Sequence, residues 1–272
     1  MKIVVAAPGR AGGALALAAD AAGHQIVGLV SRSPLPTSLA AGFRALAFEV
    51  PLPAADLLVV AARDQAISEV AERLAPTVLD IPAAIHLSGF TPLAALASLQ
   101  ERGLSVGSFH PLQTLPTAEL GAVALAGASV AVTASDPLRG RLWELAQTLD
   151  LRPFDLADAD KPVYHAAAAA ASNYVVAALG VAEDLFRSGG VSPDAARPLT
   201  ERVVANAYEL GARPALTGPI ARGDWDTVLG QISAADAVSP DLGSAFRSLA
   251  EATGYVANVS LPESRVPGPE SK

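Results

Sequence analysis

A polar stripe crosses an alanine-rich stretch between Lys161 and Asn173. At about 100° per residue of a helix, Lys161, His165 and Ser172 fall on one narrow stripe, with Asn173 on its flank. Pro162 suits the first turn of a helix, because the N–H that proline lacks would have no partner there, so we predict a long buried helix from about Lys161. Burying an ammonium group and an imidazole is costly without partners. The stripe therefore predicts a ligand, a partner chain or water beside it.

A glycine-rich turn follows the first predicted strand, in the segment Ala7-Pro-Gly-Arg-Ala-Gly-Gly13. Its spacing matches the dinucleotide-binding fingerprint, except that Ala7 stands where the first glycine belongs. Gly9 would let the backbone approach a pyrophosphate, and Gly12 would let the following helix pack closely on the strand. The N–H groups at the helix start would hold the phosphates, with Arg10 within reach. The alternative is a glycine-rich turn without a ligand.

The second predicted strand ends in Ser31-Arg32-Ser33, about 20 residues beyond the glycines, where an acid usually binds the ribose of NAD. Arginine at this point accommodates the 2′-phosphate of NADP instead. We therefore predict NADP(H) as the cofactor, bound in part by Ser31 and Arg32. A solvated arginine at a strand end is the alternative.

Strands and helices alternate through the first half of the chain, which predicts a doubly wound, Rossmann-like α/β sheet. Ligands of such sheets lie beyond the carboxyl ends of the strands. We expect Ser88 and Gly89 to contact the cofactor there, and His110, Gln113 and Thr114 to contact the substrate. A structural histidine in a capped loop is the alternative for His110. The residues that the sequence places at this edge are His86, Ser88, Gly89, His110, Gln113 and Thr114.

The domain organisation follows from the change of pattern near Lys161. We predict a nucleotide-binding domain over 1–155, an all-helical substrate and dimerisation domain over 156–262, and a disordered tail over 263–272. Helix starts in the second domain are predicted at Ser192-Pro193, Asp224 and Ser239-Pro240. Between them, residues 216–224 read as irregular backbone in which Thr217 and Arg222 are candidate substrate ligands, with an Arg222 to Asp224 ion pair as the alternative.

Composition excludes several classes of protein. The net charge of −8 provides no basic surface for nucleic acid, and the lack of cysteine excludes disulfides and thiolate metal sites. No metal-ligand spacing is found. The start of the chain leaves no room for a signal peptide, so we expect a cytoplasmic protein. Residues 166–182 are uncharged, but Ser172-Asn173 and the many alanines favour a buried helix over a membrane span. We expect a homodimer in which this helix packs on a symmetry mate, with packing inside one chain as the alternative.

Jointly these motifs resemble a family of predicted bacterial oxidoreductases that have a Rossmann-like N-terminal domain and a helical C-terminal domain of unknown function. More distantly they resemble ketopantoate reductases and the superfamily of 6-phosphogluconate dehydrogenase. In dehydrogenases of that superfamily a lysine and an asparagine four residues later carry catalysis; Lys161 matches the lysine, but His165 replaces the asparagine. The motifs are Pro8-Gly9-Arg10-x-Gly12, His86-Leu-Ser-Gly89, Gly107-Ser-Phe-His110-Pro-Leu-Gln113-Thr114, Lys161-Pro-x-Tyr-His165, Ser172-Asn173-Tyr174 and Leu216-Thr-Gly-Pro-Ile-Ala-Arg-Gly-Asp224.

The resemblance implies an NADPH-dependent reductase of a small 2-oxo acid, with ketopantoate as the leading candidate. Lys161 would supply the proton and a positive charge for the developing alkoxide, and His165 one turn away would lower its pKa. His110 and Asn173 would orient the substrate, Ser172 would contact it, and Arg222 would bind its carboxylate. Two alternatives stay open: an imine or cyclic-acid oxidoreductase, as in pyrroline-5-carboxylate or prephenate chemistry, and a non-catalytic NADP-binding sensor or scaffold.

Overall fold

The computed structural model describes residues 1–262 of the chain. These residues divide into two compact units, Met1–Ala170 and the described residues from Ala171 onward. The predicted disordered tail, 263–272, lies outside the described residues. The first unit holds every strand and extends into the helix that begins at Lys161.

The first unit is built on one eight-stranded sheet with the order β3-β2-β1-β4-β5-β6-β7-β8. The first six strands are parallel, β7 is antiparallel to β6, and β8 is parallel to β7. The predicted doubly wound sheet is therefore confirmed, with its last two strands reversed. The strands are β1 Lys2–Ala6, β2 Gln25–Val30, β3 Ala45–Leu46, β4 Leu57–Val60, β5 Ala83–His86, β6 Ser105–Leu112, β7 Ser129–Thr133 and β8 Arg152–Asp155.

Helices cover both faces of this sheet, which explains why its central strands are apolar without alternation. Ile3 and Val5 of β1 belong to one hydrophobic core, whereas Val4 belongs to the core on the opposite face. Helices α1, α5 and α6 contribute to the first core, and α3 and α4 to the second. These helices are α1 Arg10–Ala21, α2 Thr37–Ala40, α3 Ile67–Leu74, α4 Ala97–Gln100, α5 Ala118–Leu125 and α6 Leu138–Thr148.

The later helices confirm two of the predicted starts. The Asp224 side chain accepts a hydrogen bond from the Thr227 amide at the start of α12, and Ser239 accepts one from Leu242 at the start of α13. Ser192 makes no such bond, because a 3₁₀ turn, Pro193–Ala196, precedes the helix there. These helices are α7 Lys161–Ala171, α8 Asn173–Ser188, α9 Arg197–Leu210, α10 Ala212–Ala215, α11 Pro219–Arg222, α12 Trp225–Val238 and α13 Pro240–Ala257.

The expectation of one long buried helix from Lys161 is wrong in two respects. Helical structure is interrupted at Ser172, whose hydroxyl donates to the Asn173 side chain at 3.0 Å. Such side chains compete with the backbone for hydrogen bonds, which disfavours them inside helices. Apart from Lys161, no residue of α7 or α8 is buried. By length and composition alone, the segment Asp158–Ser188 could cross a membrane. This is weak evidence for a membrane span, because core helices of soluble proteins pass the same test.

Candidate functional site

The turn after β1 connects the strand tightly to α1 although Ala7 replaces the first glycine of the fingerprint. Ala7 adopts a left-handed conformation with φ of 54°, a conformation that glycine adopts without strain. Farther along, a Cβ on Gly12 would lie 2.4 Å from the Cβ of Ala61, so only glycine lets α1 pack this closely on the sheet. This is the packing role that the spacing predicts for Gly12.

The N-terminus of α1 is open to an anion. Gly9 is its N-cap residue, no side chain caps the helix, and its first turn contains no acidic residue. A Cβ on Gly9 would meet nothing within 4 Å, so space lies in front of these amides. Arg10, the first helical residue, is exposed beside them. Free amides and the positive end of the helix dipole both favour a phosphate at this point.

Arg32 lies beyond the end of β2, the strand that pairs with β1. Its guanidinium donates to the Glu69 carboxylate at 3.2 Å, with the two side chains 55% and 58% exposed. Exposed ion pairs of this kind contribute at most about 1 kcal/mol, so Arg32 can exchange Glu69 for a phosphate. The neighbouring Ser31 hydroxyl donates to the Ser33 carbonyl at 2.8 Å and shapes the loop.

His86 ends β5 at the same edge of the sheet. It pairs in register with Val60, which pairs in turn with Ala6, so His86 lies two strands, about 10 Å, from the end of β1. The side chain is fully buried, and its Nδ1 accepts a hydrogen bond from the Ser88 amide at 3.2 Å. Its Nε2 has no hydrogen-bond partner among residues 1–262. Burial, followed by the charges of Lys161 and His110, lowers the pKa of His86 to about 3, so the ring is neutral.

Ser88 and Gly89 shape the loop that follows β5. The Ser88 hydroxyl donates to the Thr91 hydroxyl at 3.0 Å and accepts the amides of Phe90 and Thr91. A Cβ on Gly89 would lie 2.7 Å from the His110 ring. Gly89 is therefore required for the imidazole of His110 to approach the backbone. Both residues are buried, and their predicted contact with a cofactor stays a prediction.

His110 lies on β6, next to β5, and contacts the first turns of α7. Its Nδ1 is 2.8 Å from the Tyr164 hydroxyl. Its ring centroid is 6.2 Å from that of His165, which packs edge-on against Phe90 at 5.8 Å. Burial, followed by the nearby His165, lowers the pKa of His110 to about 4, and burial raises that of Tyr164 to about 12. His110 and Tyr164 are thus both neutral near pH 7.

Lys161 is engaged with the loop after β5. Its Nζ donates to the Thr91 carbonyl at 2.9 Å and lies 3.5 Å from the Asp158 carboxylate, and the side chain is only 1% exposed. Asp158 also accepts the Leu93 amide at 3.0 Å, so it joins the loop to the start of α7. Burial lowers the pKa of Lys161, and Asp158 opposes that shift. The predicted proton transfer by Lys161 stays a prediction.

The remaining candidates lie elsewhere. The exposed Gln113 donates to the Ala124 carbonyl at 3.1 Å and accepts the Thr114 amide at 2.8 Å, so these two residues fasten a loop to the end of α5.

Four candidates belong to the second unit. Ser172 and Asn173 contact each other at the start of α8, while Thr217 and Arg222 are exposed. Asp224 caps α12 rather than pairing with Arg222. No group of three histidine, cysteine or acidic residues with metal-binding geometry occurs within residues 1–262.

Sequence reasoning missed Tyr164 and Asp158. Both have a signal in retrospect, because each lies three residues from Lys161 and hence on the same face of a helix. The polar stripe in the alanine-rich segment indicated Lys161, His165 and Ser172 instead. The structure brings His110, Tyr164, His165 and Phe90 together, and joins Lys161 to Asp158 and Thr91.

Residues 128–253 match a family described as a domain of unknown function (DUF2520). The match covers slightly less than half of the chain. It confirms the resemblance to a family of Rossmann-like oxidoreductases whose C-terminal domain has no assigned function. No curated protein matches the chain.

Several solved structures share the fold. A candidate NADP oxidoreductase from Bacteroides fragilis has 23% identity and a TM-score of 0.80, with 93% of this chain and 98% of that chain covered. An imine reductase from Streptomyces aurantiacus has 16% identity and a TM-score of 0.66, with 95% of each chain covered. A Plasmodium falciparum pyrroline carboxylate reductase, solved with NADP bound, has 13% identity and a TM-score of 0.59, with 94% and 98% covered.

Proposed function

We propose that this chain is an NADP(H)-dependent oxidoreductase that reduces a small C=N compound. The observation that carries the proposal is the arrangement of three features at one edge of the sheet. These are the open N-terminus of α1, Arg32 beyond β2, and the neutral pair of His110 and Tyr164. Similarity to proteins solved with NADP or NADPH supports the choice of cofactor.

The residues of the first unit fit this cofactor. Amides of the α1 N-terminus would hold the pyrophosphate, with Gly9 leaving room for it. Arg32 would bind the 2′-phosphate through a bidentate fork after releasing Glu69. When bound, NADPH supplies the hydride, while the protein contributes binding, orientation and a proton.

Electrostatics of the first unit favour an imine over an anionic keto acid. Asp64 lies close enough to His110 and Lys161 to raise their pKa values, and Asp158 contacts Lys161 directly. The only cation among these residues is buried, while His86 and His110 are neutral. Two carboxylates against one ammonium repel the carboxylate of a keto acid but not an uncharged imine. Ketopantoate, the leading candidate from sequence, is therefore the competing substrate.

The cofactor assignment is tested by comparing NADPH and NADH binding in wild type and Arg32→Ala. Losing a charge-assisted pair with phosphate removes about 1.5 to 3 kcal/mol, so we expect about a tenfold to hundredfold loss of NADPH affinity. NADH affinity should hardly change. Arg102→Ala is the matched control, because this exposed arginine precedes β6 at the opposite edge of the sheet. Equal loss for both cofactors would refute the role of Arg32.

The substrate class is tested by NADPH oxidation with 1-pyrroline, pyrroline-5-carboxylate and ketopantoate, each against a control without substrate. We expect the highest kcat/KM with 1-pyrroline, which carries no carboxylate. Turnover of ketopantoate alone would replace the imine proposal by keto-acid reduction. Tight NADPH binding without turnover of any compound would favour a sensor.

We further propose that the second unit forms a homodimer through α9. Helix α9 has 14 residues and none of them is buried. Leu199, Val203 and Leu210 lie within about 40° on one face of α9 and are 65%, 56% and 60% exposed. A helix of this length is marginal without packing, so the apolar face requires a partner. A second copy of this chain can supply that partner, because it carries the same apolar face.

Sedimentation or light scattering of purified protein tests this association. Leu199→Asp should convert the dimer to a monomer, because it places a charge on the apolar face of α9. Val123→Asp is the matched control, since Val123 is 80% exposed on α5 of the first unit. A monomeric wild type, or equal effects of both variants, would contradict the proposed interface.

A further inference from the structure

Tyr164 and His110 form a hydrogen-bonded pair of titratable groups on two different elements. Tyr164 lies in the first turn of α7 and His110 near the end of β6, with 2.8 Å between the hydroxyl and Nδ1. The two rings are nearly perpendicular at a centroid distance of 5.5 Å, and Phe154 supports the tyrosine ring edge-on at 5.9 Å. Both side chains are half-buried, so the pair is held in place without being sealed off.

Lys161 is poorly placed to give up a proton beside this pair. Its ammonium is 1% exposed and already donates to the Thr91 carbonyl, with Asp158 as its counter-ion. Moving a proton from Lys161 to a substrate would require these contacts to break. The Tyr164 hydroxyl has one identified partner, His110, and one O–H bond that can turn towards a ligand.

We propose that Tyr164 donates the proton that accompanies reduction and that His110 restores it. This inference rests on the proposed function. The substrate carbon gains a hydride, the C=N π bond breaks, and the nitrogen takes the Tyr164 hydroxyl proton. The phenolate then takes the Nδ1 proton of His110 while Nε2 accepts a proton from water. The net change is the consumption of one hydride and one solvent proton. Both side chains are then neutral, and His110, left as the Nε2–H tautomer, returns to the Nδ1–H tautomer by exchanging protons with water before the next turnover.

The protonation states agree with this relay. The pKa of Tyr164, raised to about 12 by burial, keeps the hydroxyl protonated near pH 7. The pKa of His110, lowered to about 4, leaves one ring nitrogen protonated and the other free to accept. A neutral imidazole can therefore pass a proton from one nitrogen to the other, whereas an imidazolium has no free acceptor. His165 and Lys161 disfavour the charged ring of His110, and Asp64 favours it.

The test compares two substrates that differ in their need for a proton. At alkaline pH, 1-pyrroline is unprotonated and must gain a proton on nitrogen, whereas 1-methyl-1-pyrrolinium is already cationic and needs only the hydride. General acid catalysis contributes about a hundredfold or more. We expect Tyr164→Phe to lower kcat for 1-pyrroline by at least that factor, and the ratio of the two kcat values to change by at least tenfold. Tyr255→Phe, at a tyrosine 76% exposed, is the matched control.

Each outcome decides between the proposals. Equal loss of kcat with both substrates would show that Tyr164 has a structural role. It would overturn the relay but not the proposed function. Unchanged turnover of 1-pyrroline would do the same. Failure of wild type to reduce either substrate would overturn the proposed function, and the relay with it. Tyr164→Phe keeps the ring that packs on Phe154, so folding should be preserved.

A second readout does not depend on turnover. Nitrogen NMR resolves the imidazoles of the four histidines. Tyr164→Phe should shift the Nδ1 signal of His110, because its hydrogen-bond partner is lost, and should leave that of His24 unchanged. His110→Asn keeps a hydrogen-bonding group near Nδ1 but cannot carry a proton through a ring. It should therefore reproduce the substrate-dependent loss of Tyr164→Phe. An unchanged His110 signal would overturn the pair.

Discussion

Acid should destabilise the first unit through His86 and His110. The folded pKa values are about 3 and about 4, against an ordinary value of 6.5. Between about pH 6.5 and 4, the unfolded chain therefore binds up to about two more protons than the folded chain at these positions. Stability that is present above pH 6.5 is lost as the pH falls, because each neutral ring resists the charge that it would carry in water.

The magnitude between pH 7 and pH 5 depends little on the exact folded values. A histidine whose pKa is 6.5 in the unfolded chain and below 5 in the folded chain lowers the free energy of unfolding by about 2 kcal/mol over this interval. The two rings together should lower the free energy of unfolding by about 4 kcal/mol. That is a large part of the stability of an ordinary domain.

Urea unfolding at pH 7, 6 and 5 measures this loss. The chain has two tryptophans, and a Trp225→Phe background leaves only Trp143 of α6 to report on the first unit. In that background His86→Asn and His110→Asn should each reduce the loss between pH 7 and 5 by about 2 kcal/mol. Neither variant has to match the stability of the wild type at pH 7, since only the slope with pH is compared. If the free energy of unfolding of a variant falls with pH as steeply as that of the wild type, the substituted ring is not neutral and buried in the folded protein.

Three further predictions concern the backbone and the contacts around the site. Ala7→Gly should raise the free energy of unfolding by about 1 kcal/mol, because it relieves the left-handed strain at φ of 54°, whereas Ala11→Gly inside α1 should lower it by about as much; equal signs in urea unfolding would contradict this. Lys161→Met should lower the free energy of unfolding by about 1 to 2 kcal/mol in urea unfolding, since the Thr91 carbonyl loses its hydrogen-bond donor while Asp158, 38% exposed, stays hydrated; the exposed Lys2→Met should change it by less than about 0.5 kcal/mol. Gly89→Ala should displace the His110 ring and shift its imidazole NMR signals, as its Cβ would lie 2.7 Å from that ring, whereas Gly42→Ala, where a Cβ meets nothing within 4 Å, should leave them unchanged. Unshifted His110 signals in Gly89→Ala would show that the loop yields instead.

Local sequence patterns predicted the structure correctly where its physical cause is local. The apolar runs of β1 and β4 predict strands, and both occur in the centre of the sheet. The spacing from Ala7 to Gly12 predicts a tight turn with a close helix, and the contact of Gly12 with Ala61 agrees. Caps at Asp224 and Ser239 follow from one side chain and an amide three residues later.

Sequence patterns did not predict the structure where it depends on contacts with distant parts of the chain. A run of alanines has the same composition in a buried helix and on an exposed face, so the exposure of α7 could not be read from it. The reversal of β7 against β6 is a choice of sheet pairing, which the sequence of either strand leaves open.

The amino-acid sequence by itself determined the α/β order of the first half, the helical second half and the tight glycine-rich turn after β1, because each depends on hydrophobic period, capping or the special conformations of glycine. Only the tertiary structure decided which polar groups meet. Tyr164 and His110 are separated by 54 residues. Lys161 and Thr91 are separated by 70. Their protonation states follow from burial and from neighbours brought there by folding, so the chemistry of the edge exists only once β5, β6 and α7 are packed together.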